Sequence, residues 1–364
     1  MGSASRRSRP RSASASGSSS SRGRGSRTRC SRSCRTRRRS RCPGPSPWSR
    51  GPTMRVLACP ASLKGVLTAV DAAAALGRGA RCVPGVEVDE LPVADGGEGT
   101  LEVLALARGG AWHGAEVHDA FGRPRRARWL EVDDGRAVVE AAEAIPLDPR
   151  RLDPFAASSR GLGELVAAVG RPRELLVCLG GTANVDGGAG FLEVVQELPA
   201  PTRVACDVRS PLVDAARVFA AQKGAASADV EVLEARLLAL PELAPCASLP
   251  GSGAAGGLGA ALASLGAELV AGAELVLAEI GFDPRGFDLV VTGEGVVDRT
   301  TGEGKAPGEV ARRCAEAGAR CVVFGGRVTA PVEGAETYEL SGDPARAAAD
   351  LVDLGERLAR SLAA

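Results

Sequence analysis

Short apolar runs in this chain end repeatedly in glycine-dense loops that lead into helix-forming segments, and this alternation constrains the fold more than any other feature. Val56–Cys59 reads as a buried strand and Ala69–Gly77 as an Ala-rich helix. Val86–Val93 alternates into a second strand that ends at Ala94-Asp95-Gly96-Gly97-Glu98-Gly99-Thr100, where Thr100 is placed to cap a helix over Leu101–Ala107. Residues 115–142 read as a β-meander, broken by Gly122-Arg123-Pro124 and Asp133-Asp134-Gly135. Helices are expected over Leu162–Val169, over Ala228–Leu240 with Ser227 as cap, and over Leu258–Leu265. Leu175–Leu179 is a strand running into a loop from Gly180 to Gly190, and Arg203–Val208 is another strand. Phe287–Thr292 is a strand that enters Gly293-Glu294-Gly295 and then a loop to Lys305. Pro307–Ala317, Arg320–Phe324 and Pro344–Leu362 follow as helix, strand and helix. Strand–helix alternation at both ends around a meander implies an α/β protein with a second domain inserted into the first.

Residues 1–53 stand apart. They hold 15 of the 45 basic residues and none of the 44 acids, and they are Arg, Ser, Gly and Pro with almost no large apolar side chain. Such a segment cannot form a core and is expected to be a disordered basic tail. It lacks the interleaved aromatic residues that stack on nucleic-acid bases and the apolar core of a secretory signal. Met54-Arg55-Val56-Leu57-Ala58-Cys59-Pro60 goes straight into a strand, so Met54 is the expected start of the folded chain. The rest carries 30 basic against 44 acidic residues, a balance that argues against general nucleic-acid binding. Leu243–Ala267 is uncharged, but it is mostly Gly and Ala and contains Pro245 and Pro250, so it reads as a glycine-rich loop entering a buried helix. Cys59, Cys178, Cys206 and Cys321 lie in apolar strands, and no C-x-x-C pair occurs, which points to reduced thiols and a cytoplasmic protein. His113 and His118 lie at the meander edge and read as surface residues, and the arginines of 123–128 as a solvated strand face.

Against this background the lysines are conspicuous. Only Lys64, Lys223 and Lys305 occur, each near a glycine, while every other cation is arginine. Lysine offers a compact point charge where arginine offers a planar fork, and phosphate is a frequent ligand of such an ammonium. The glycine loops also carry acids: Asp95 and Glu98, Asp186, and Glu294 and Asp298, with Asp207 at the end of a further strand. In α/β proteins ligands bind at the carboxyl ends of strands, and glycines let backbone N–H groups approach an anion. Lysines, glycines and carboxylates together suggest phosphoryl transfer, with Mg²⁺ held by carboxylates. No Walker A sequence and no protein-kinase loop is present. Gly251-Ser252-Gly253-Ala254-Ala255-Gly256 matches a dinucleotide fingerprint literally, but Leu249-Pro250 precedes it rather than a strand.

The body of the chain resembles the bacterial two-domain glycerate kinases (type 1). The resemblance is carried by Cys59-Pro60-Ala61-Ser62-Leu63-Lys64-Gly65, Pro92 to Thr100, Gly180 to Gly190, Ala205-Cys206-Asp207-Val208, Gln222-Lys223-Gly224-Ala225, Gly251 to Gly259, and Thr292-Gly293-Glu294-Gly295 through Asp298 to Gly304-Lys305-Ala306-Pro307. These occur in family order. The resemblance implies an ATP- and Mg²⁺-dependent kinase acting on a hydroxyl of glycerate, as a monomer or homodimer without nucleic-acid or membrane partners. It also implies a flavodoxin-like domain built from 54–98 and 285–364, an inserted domain over 99–284, and an active site in the cleft between them. Lys64, Asp186, Asp95 and Lys305 are then the catalytic candidates, with Asp186 foremost. Ser62, Lys223, Gly180, Gly181, Thr182, Asn184, Gly256, Gly257 and Glu294 are candidates for substrate and phosphate, and Asp298 and Asp207 for the metal. The chain departs from the family pattern at Ala61, Leu63, Arg209, Ser210, Val296 and Thr300, and in shorter segments before Gln222 and between Gly190 and Thr202. These departures keep open a kinase for another small hydroxy acid, or a ligand-binding protein without catalysis.

Overall fold

The computed structural model describes residues 53–363. The basic segment expected to be disordered therefore lies outside the described residues, except for Thr53. Eleven strands form two sheets. They are β1 (Met54–Ala58), β2 (Val86–Glu90), β3 (Ala111–His118), β4 (Pro124–Val132), β5 (Arg136–Glu140), β6 (Leu175–Cys178), β7 (Thr202–Cys206), β8 (Glu268–Ala271), β9 (Leu289–Val297), β10 (Cys321–Val328) and β11 (Glu336–Glu339). The first sheet runs β11-β10-β9-β1-β2, and all its pairs are parallel. Counted along its own strands this is the flavodoxin order 2-1-3-4-5. The second sheet runs β3-β4-β5-β6-β7-β8, antiparallel through the expected meander and parallel from β5 to β8. The first sheet thus draws its strands from both ends of the chain and the second from 111–271.

The period of two along the buried strands explains the layering. In the first sheet Val56, Ala58, Leu289, Val291, Val322 and Phe324 face one core, beneath helices Ala69–Ala80 and Ala347–Ala363. Their neighbours Leu57, Cys59, Val290, Cys321 and Val323 face a second core. That core is shared with Leu130, Val138, Leu176 and Cys178 of the second sheet and with Leu101 and Leu104 of helix Thr100–Arg108. Each fully buried Leu or Val contributes about 1.5–3 kcal/mol, and this shared layer holds the two sheets against one another. Ala137, Val139, Leu175 and Val177 alternate onto a third core under helices Arg160–Val169, Ser227–Leu238 and Ala254–Ser264. The described residues cluster as one compact unit.

Several local expectations are corrected. Gly293-Glu294-Gly295 is not a loop: β9 continues to Val297 because β10 pairs with it, Gly325 opposite Glu294 and Arg327 opposite Val296. Thr100 is the first residue of its helix rather than its cap, and its hydroxyl donates to the Gly97 carbonyl at 2.6 Å. Ser227 likewise opens its helix, and the Asp229 carboxylate accepts the Ala226 N–H at 2.8 Å. β8, β11 and helix Gly272–Glu279 carry too little pattern to be foreseen. Leu243–Ala267 does become a short turn and a buried helix, with no strand ahead of the dinucleotide-like glycines. Among the described residues no helix is long and apolar enough to cross a membrane. The seven described cysteines are free.

Candidate active site

Strand order reverses between β1 and β9, and that switch point is where a parallel α/β sheet binds ligands. The chain leaving β1 stays beside β9: Cys59 N–H donates to Val291 O at 2.8 Å and Ala61 N–H to Gly293 O at 2.9 Å. It then turns tightly, with Val66 and Leu67 N–H both donating to Leu63 O, which puts Ser62 and Lys64 at the open end of the sheet. A cleft of about 1040 Å³ opens there. Ser62, Lys64, Asp95, Glu294 and Lys305 line it, as do Arg128, Glu140 and Glu143 from the second sheet. Four sequence segments far apart in the chain therefore meet on one surface.

Glu294 is the best-organised carboxylate of this group. Thr301 Oγ1 donates to its Oε1 at 2.7 Å, and Lys305 Nζ lies 3.4 Å from its Oε2. Burial pushes its carboxyl above the usual range, an effect opposed by Thr301 and Lys305 and reinforced by the charge of Asp95. Lys305 stands at the N-terminus of helix Ala306–Ala317, whose dipole adds positive potential. Asp298 is differently employed. Its Oδ1 accepts the Thr300 N–H at 2.8 Å and the Thr300 hydroxyl at 2.5 Å, so it caps the turn Arg299–Glu303, and it does not line the cleft.

Behind Asp95 lie the loops that follow β6 and β7. Gly180 N–H donates to Gly96 O at 3.1 Å, and a Cβ at position 180 would sit 2.4 Å from Gly97 Cα and 3.1 Å from Asp207 Oδ2. Only glycine permits that approach, which brings Asp95 and Asp207 to one place. Burial pushes the Asp207 carboxyl up to about 6, and Asp95 adds to the rise while Lys223 and Lys64 oppose it. Lys223 is buried, donating to Asn184 O at 2.8 Å and lying 3.4 Å from Thr182 Oγ1. Burial pushes its ammonium down to about 8 against the pull of Asp207 and Asp186. Two of the lysines, Lys64 and Lys305, thus share the cleft, while Lys223 reaches the group from beneath, through Asp207.

The expectation for Asp186 meets a different geometry. Its carboxylate is buried and accepts five hydrogen bonds: Ser159 N–H (2.7 Å), Ser159 Oγ (2.8 Å) and Gly190 N–H (3.2 Å) on Oδ2, and Asn184 Nδ2 (2.9 Å) and Gly188 N–H (3.1 Å) on Oδ1. It does not line the cleft. A carboxylate so enclosed ties its glycine loop to the start of helix Arg160–Val169, leaving it poorly placed to accept a proton from a substrate. Asn184 is oriented by the same network, its other amide hydrogen going to Ala255 O at 2.9 Å. Its Oδ1 is buried without a donor, a state costing about 1–3 kcal/mol unless water or a ligand meets it. Ala255, Gly256 and Gly257 turn consecutively through positive φ, Ala255 at 50°. A Cβ at 256 would lie 2.2 Å from Asn184 O, so these glycines serve the packing of two loops and are not part of the cleft wall. Gly181 and Thr182 are likewise outside it.

Two residues of the cleft escaped the sequence reading. Glu140, at the end of β5, accepts Gly99 N–H at 3.1 Å and Leu101 N–H at 3.3 Å, and so caps from the second sheet a helix whose own N-cap has no side chain. Burial pushes its carboxyl up to about 8, with Glu102 and Glu143 adding to the rise and the two N–H groups opposing it. An acid closing the apolar run Ala137–Val139 was the only signal available. Arg128 is exposed, as expected of a solvated strand face, yet it also bridges Glu102 (2.8 Å) and Glu143 (2.5 Å) at the cleft edge and lies over Trp112. His113 and His118 are half-exposed and pair with Glu131 and Glu164 away from the cleft.

The sequence pattern of the glycerate kinase family matches residues 56–198 and 195–342. A protein named glycerate kinase from Bacillus subtilis (strain 168) is 35% identical over 312 residues, covering 71% of this chain and 81% of its own. One named glycerate 2-kinase from Escherichia coli (strain K12) is 35% identical over 307 residues, covering 70% and 80%. The crystal structure of a Salmonella typhimurium LT2 protein assigned as glycerate kinase 2 superposes with a TM-score of 0.71 at 29% identity, covering 85% of this chain and 98% of that one. The chain belongs to the glycerate kinase family.

Proposed function

We propose that this protein is a glycerate kinase that transfers the γ-phosphoryl group of ATP to a hydroxyl of glycerate in the cleft at the β1/β9 switch point. The observation that carries the reading is the meeting of Lys64 and Lys305 with Asp95 and Glu294 in one cleft, although they come from three separate motifs. Phosphoryl transfer asks little covalent chemistry of a protein and depends on positioning and on charge placed around the transferring group. Lys64, free to move at the open end, and Lys305, anchored by Glu294, supply that charge. Ser62 donates a hydrogen bond to a phosphate or to the acid. Asp207 stands beside Asp95 just behind the residues that line the cleft, and it is assigned the hydroxyl proton because a base works best when its affinity for the proton lies near the operating pH, here about 6. Burial and Asp95 raise that affinity, and Lys223 and Lys64 temper the rise.

Mg²⁺ suits this donor set. The ion takes one or two carboxylates and completes its shell with phosphate oxygens and water. Asp95 and Glu294 both line the cleft, the charge of Asp95 reaching Glu294, and would hold it, whereas Asp298 is spent on its own turn. Bound there, the ion would neutralise charge on the phosphates. A measurement of ADP release from the full chain with ATP, D-glycerate, L-glycerate and a panel of other small hydroxy acids tests the assignment. Turnover with D-glycerate is expected; turnover only with another acid would move the substrate, and glycerate binding without ADP release would make the protein a sensor.

A further inference from the structure

We propose that Arg327 is a fourth cation of this cleft and holds the polyphosphate of the nucleotide, an inference that rests on the kinase reading above and deepens it. The register of the first sheet puts Arg327 of β10 beside Val296 of β9. Paired positions of a parallel ladder send their side chains to the same face, and both residues line the cleft. Val296 is 48% exposed, so β9 itself offers no charge at that level. On the other side of β9, a Cβ at Gly295 would lie 3.7 Å from Leu63 Cα and 3.8 Å from Lys64 N. Lys64 and Arg327 both border the end of β9 and both line the cleft. Two long cationic side chains that reach one cleft from separate segments suit an extended anion better than a single carboxylate.

Two other cations of the cleft are already engaged. Lys305 lies 3.4 Å from Glu294 and 3.8 Å from Asp298, and Arg128 is tied to Glu102 and Glu143. Of the acids at the Arg327 end, Glu339 accepts the Val328 N–H of the neighbouring strand, Asp343 the Ala345 N–H, and Asp350 the Ser341 N–H. Arg327 is exposed and, among the described residues, forms no ion pair. An unpaired guanidinium facing a site that handles phosphate is matched in geometry to phosphate oxygens, which it can grip with two N–H groups at once.

The test uses the full chain and measures ADP affinity by calorimetry beside KM for ATP and for D-glycerate. Arg327→Ala is expected to weaken ADP binding and raise KM for ATP by roughly tenfold or more, with KM for D-glycerate within about twofold and the melting temperature unchanged. Arg327→Lys should recover part of the loss. So should the double variant R327A/V296R, which returns a guanidinium to the same face one strand away. Unchanged ADP affinity in Arg327→Ala overturns the proposal. A rise in KM for D-glycerate alone also overturns it, by putting the acid's carboxylate at Arg327. A wild-type protein that neither binds ADP nor turns over would remove the kinase reading and this inference together; one that does both while Arg327→Ala is unaltered removes the inference alone.

Discussion

Two Asp-Gly-Gly loops in this molecule look alike in sequence and differ in almost everything else. Asp95-Gly96-Gly97 leaves its carboxylate facing the cleft, with a single hydrogen bond, from Gly97 N–H at 3.3 Å. Asp186-Gly187-Gly188 buries its carboxylate under five donors, two of them from Ser159. The difference lies in what surrounds each loop. The first is displayed at a switch point; the second is wedged between a helix start and the loop of Ala255–Gly257. An acidic glycine loop is therefore a site only where its acceptors are left unspent, and the unspent ones here are Asp95 and its neighbours.

The sharpest way to break this comparison is through chemistry. Lys64→Ala and Asp207→Asn should each reduce kcat by about 10²–10⁴ while the protein remains folded, as circular dichroism would report. Wild-type kcat/KM should fall on the acid side as pH drops through about 6, where burial and Asp95 place the Asp207 carboxyl. Full turnover retained by either variant would remove that residue from the account. Stability gives the complementary effect. Asp186→Ala strands five donors and should cost about 3–5 kcal/mol in denaturant unfolding, whereas Asp95→Ala should cost less than about 1 kcal/mol. Gly180→Ala drives a methyl to 2.4 Å from Gly97 Cα, and should cost about 1–3 kcal/mol together with some activity, because it pushes the Asp95 loop away from Asp207.

A further effect is one of slope. Burial raises Glu140 to about 8, well above the usual carboxylate range, so the folded state holds a proton that the unfolded state releases over that window. Folded protein that binds more protons loses stability as pH rises. Glu140→Gln should therefore gain on wild type steadily between about pH 4.5 and 8, and the gap should be constant above. Parallel stability curves for the two proteins would mean that Glu140 is ionised in the fold at neutral pH.

The first sheet was legible because its strands are buried on both faces and bounded by glycines. Its period of two, seen in Val56 to Cys59 and Cys321 to Phe324, is what the two cores on either side require. β9 was cut short in the sequence reading because Gly293-Glu294-Gly295 has loop composition; its strand state comes from pairing with β10, which no local pattern carries. In the site, the lysines beside glycines include two, Lys64 and Lys305, that line one cleft. The same signal says nothing of depth, and Lys223 turned out to be buried. The foremost place given to Asp186 failed to anticipate Ser159, which lies 27 residues away and takes up its carboxylate. Glu140 and Arg327 were unreadable for a related reason: each matters through what faces it across a sheet or a cleft.

The most direct test compares Asp95→Ala and Asp186→Ala in the full chain, measuring kcat with ATP and D-glycerate and the melting temperature of each. The account predicts that Asp95→Ala melts within about 2 °C of wild type and loses at least about a hundredfold in kcat, while Asp186→Ala melts well below it. An Asp186→Ala protein that melts like wild type but is inactive, beside an active Asp95→Ala protein, would contradict it and return the chemistry to the buried loop.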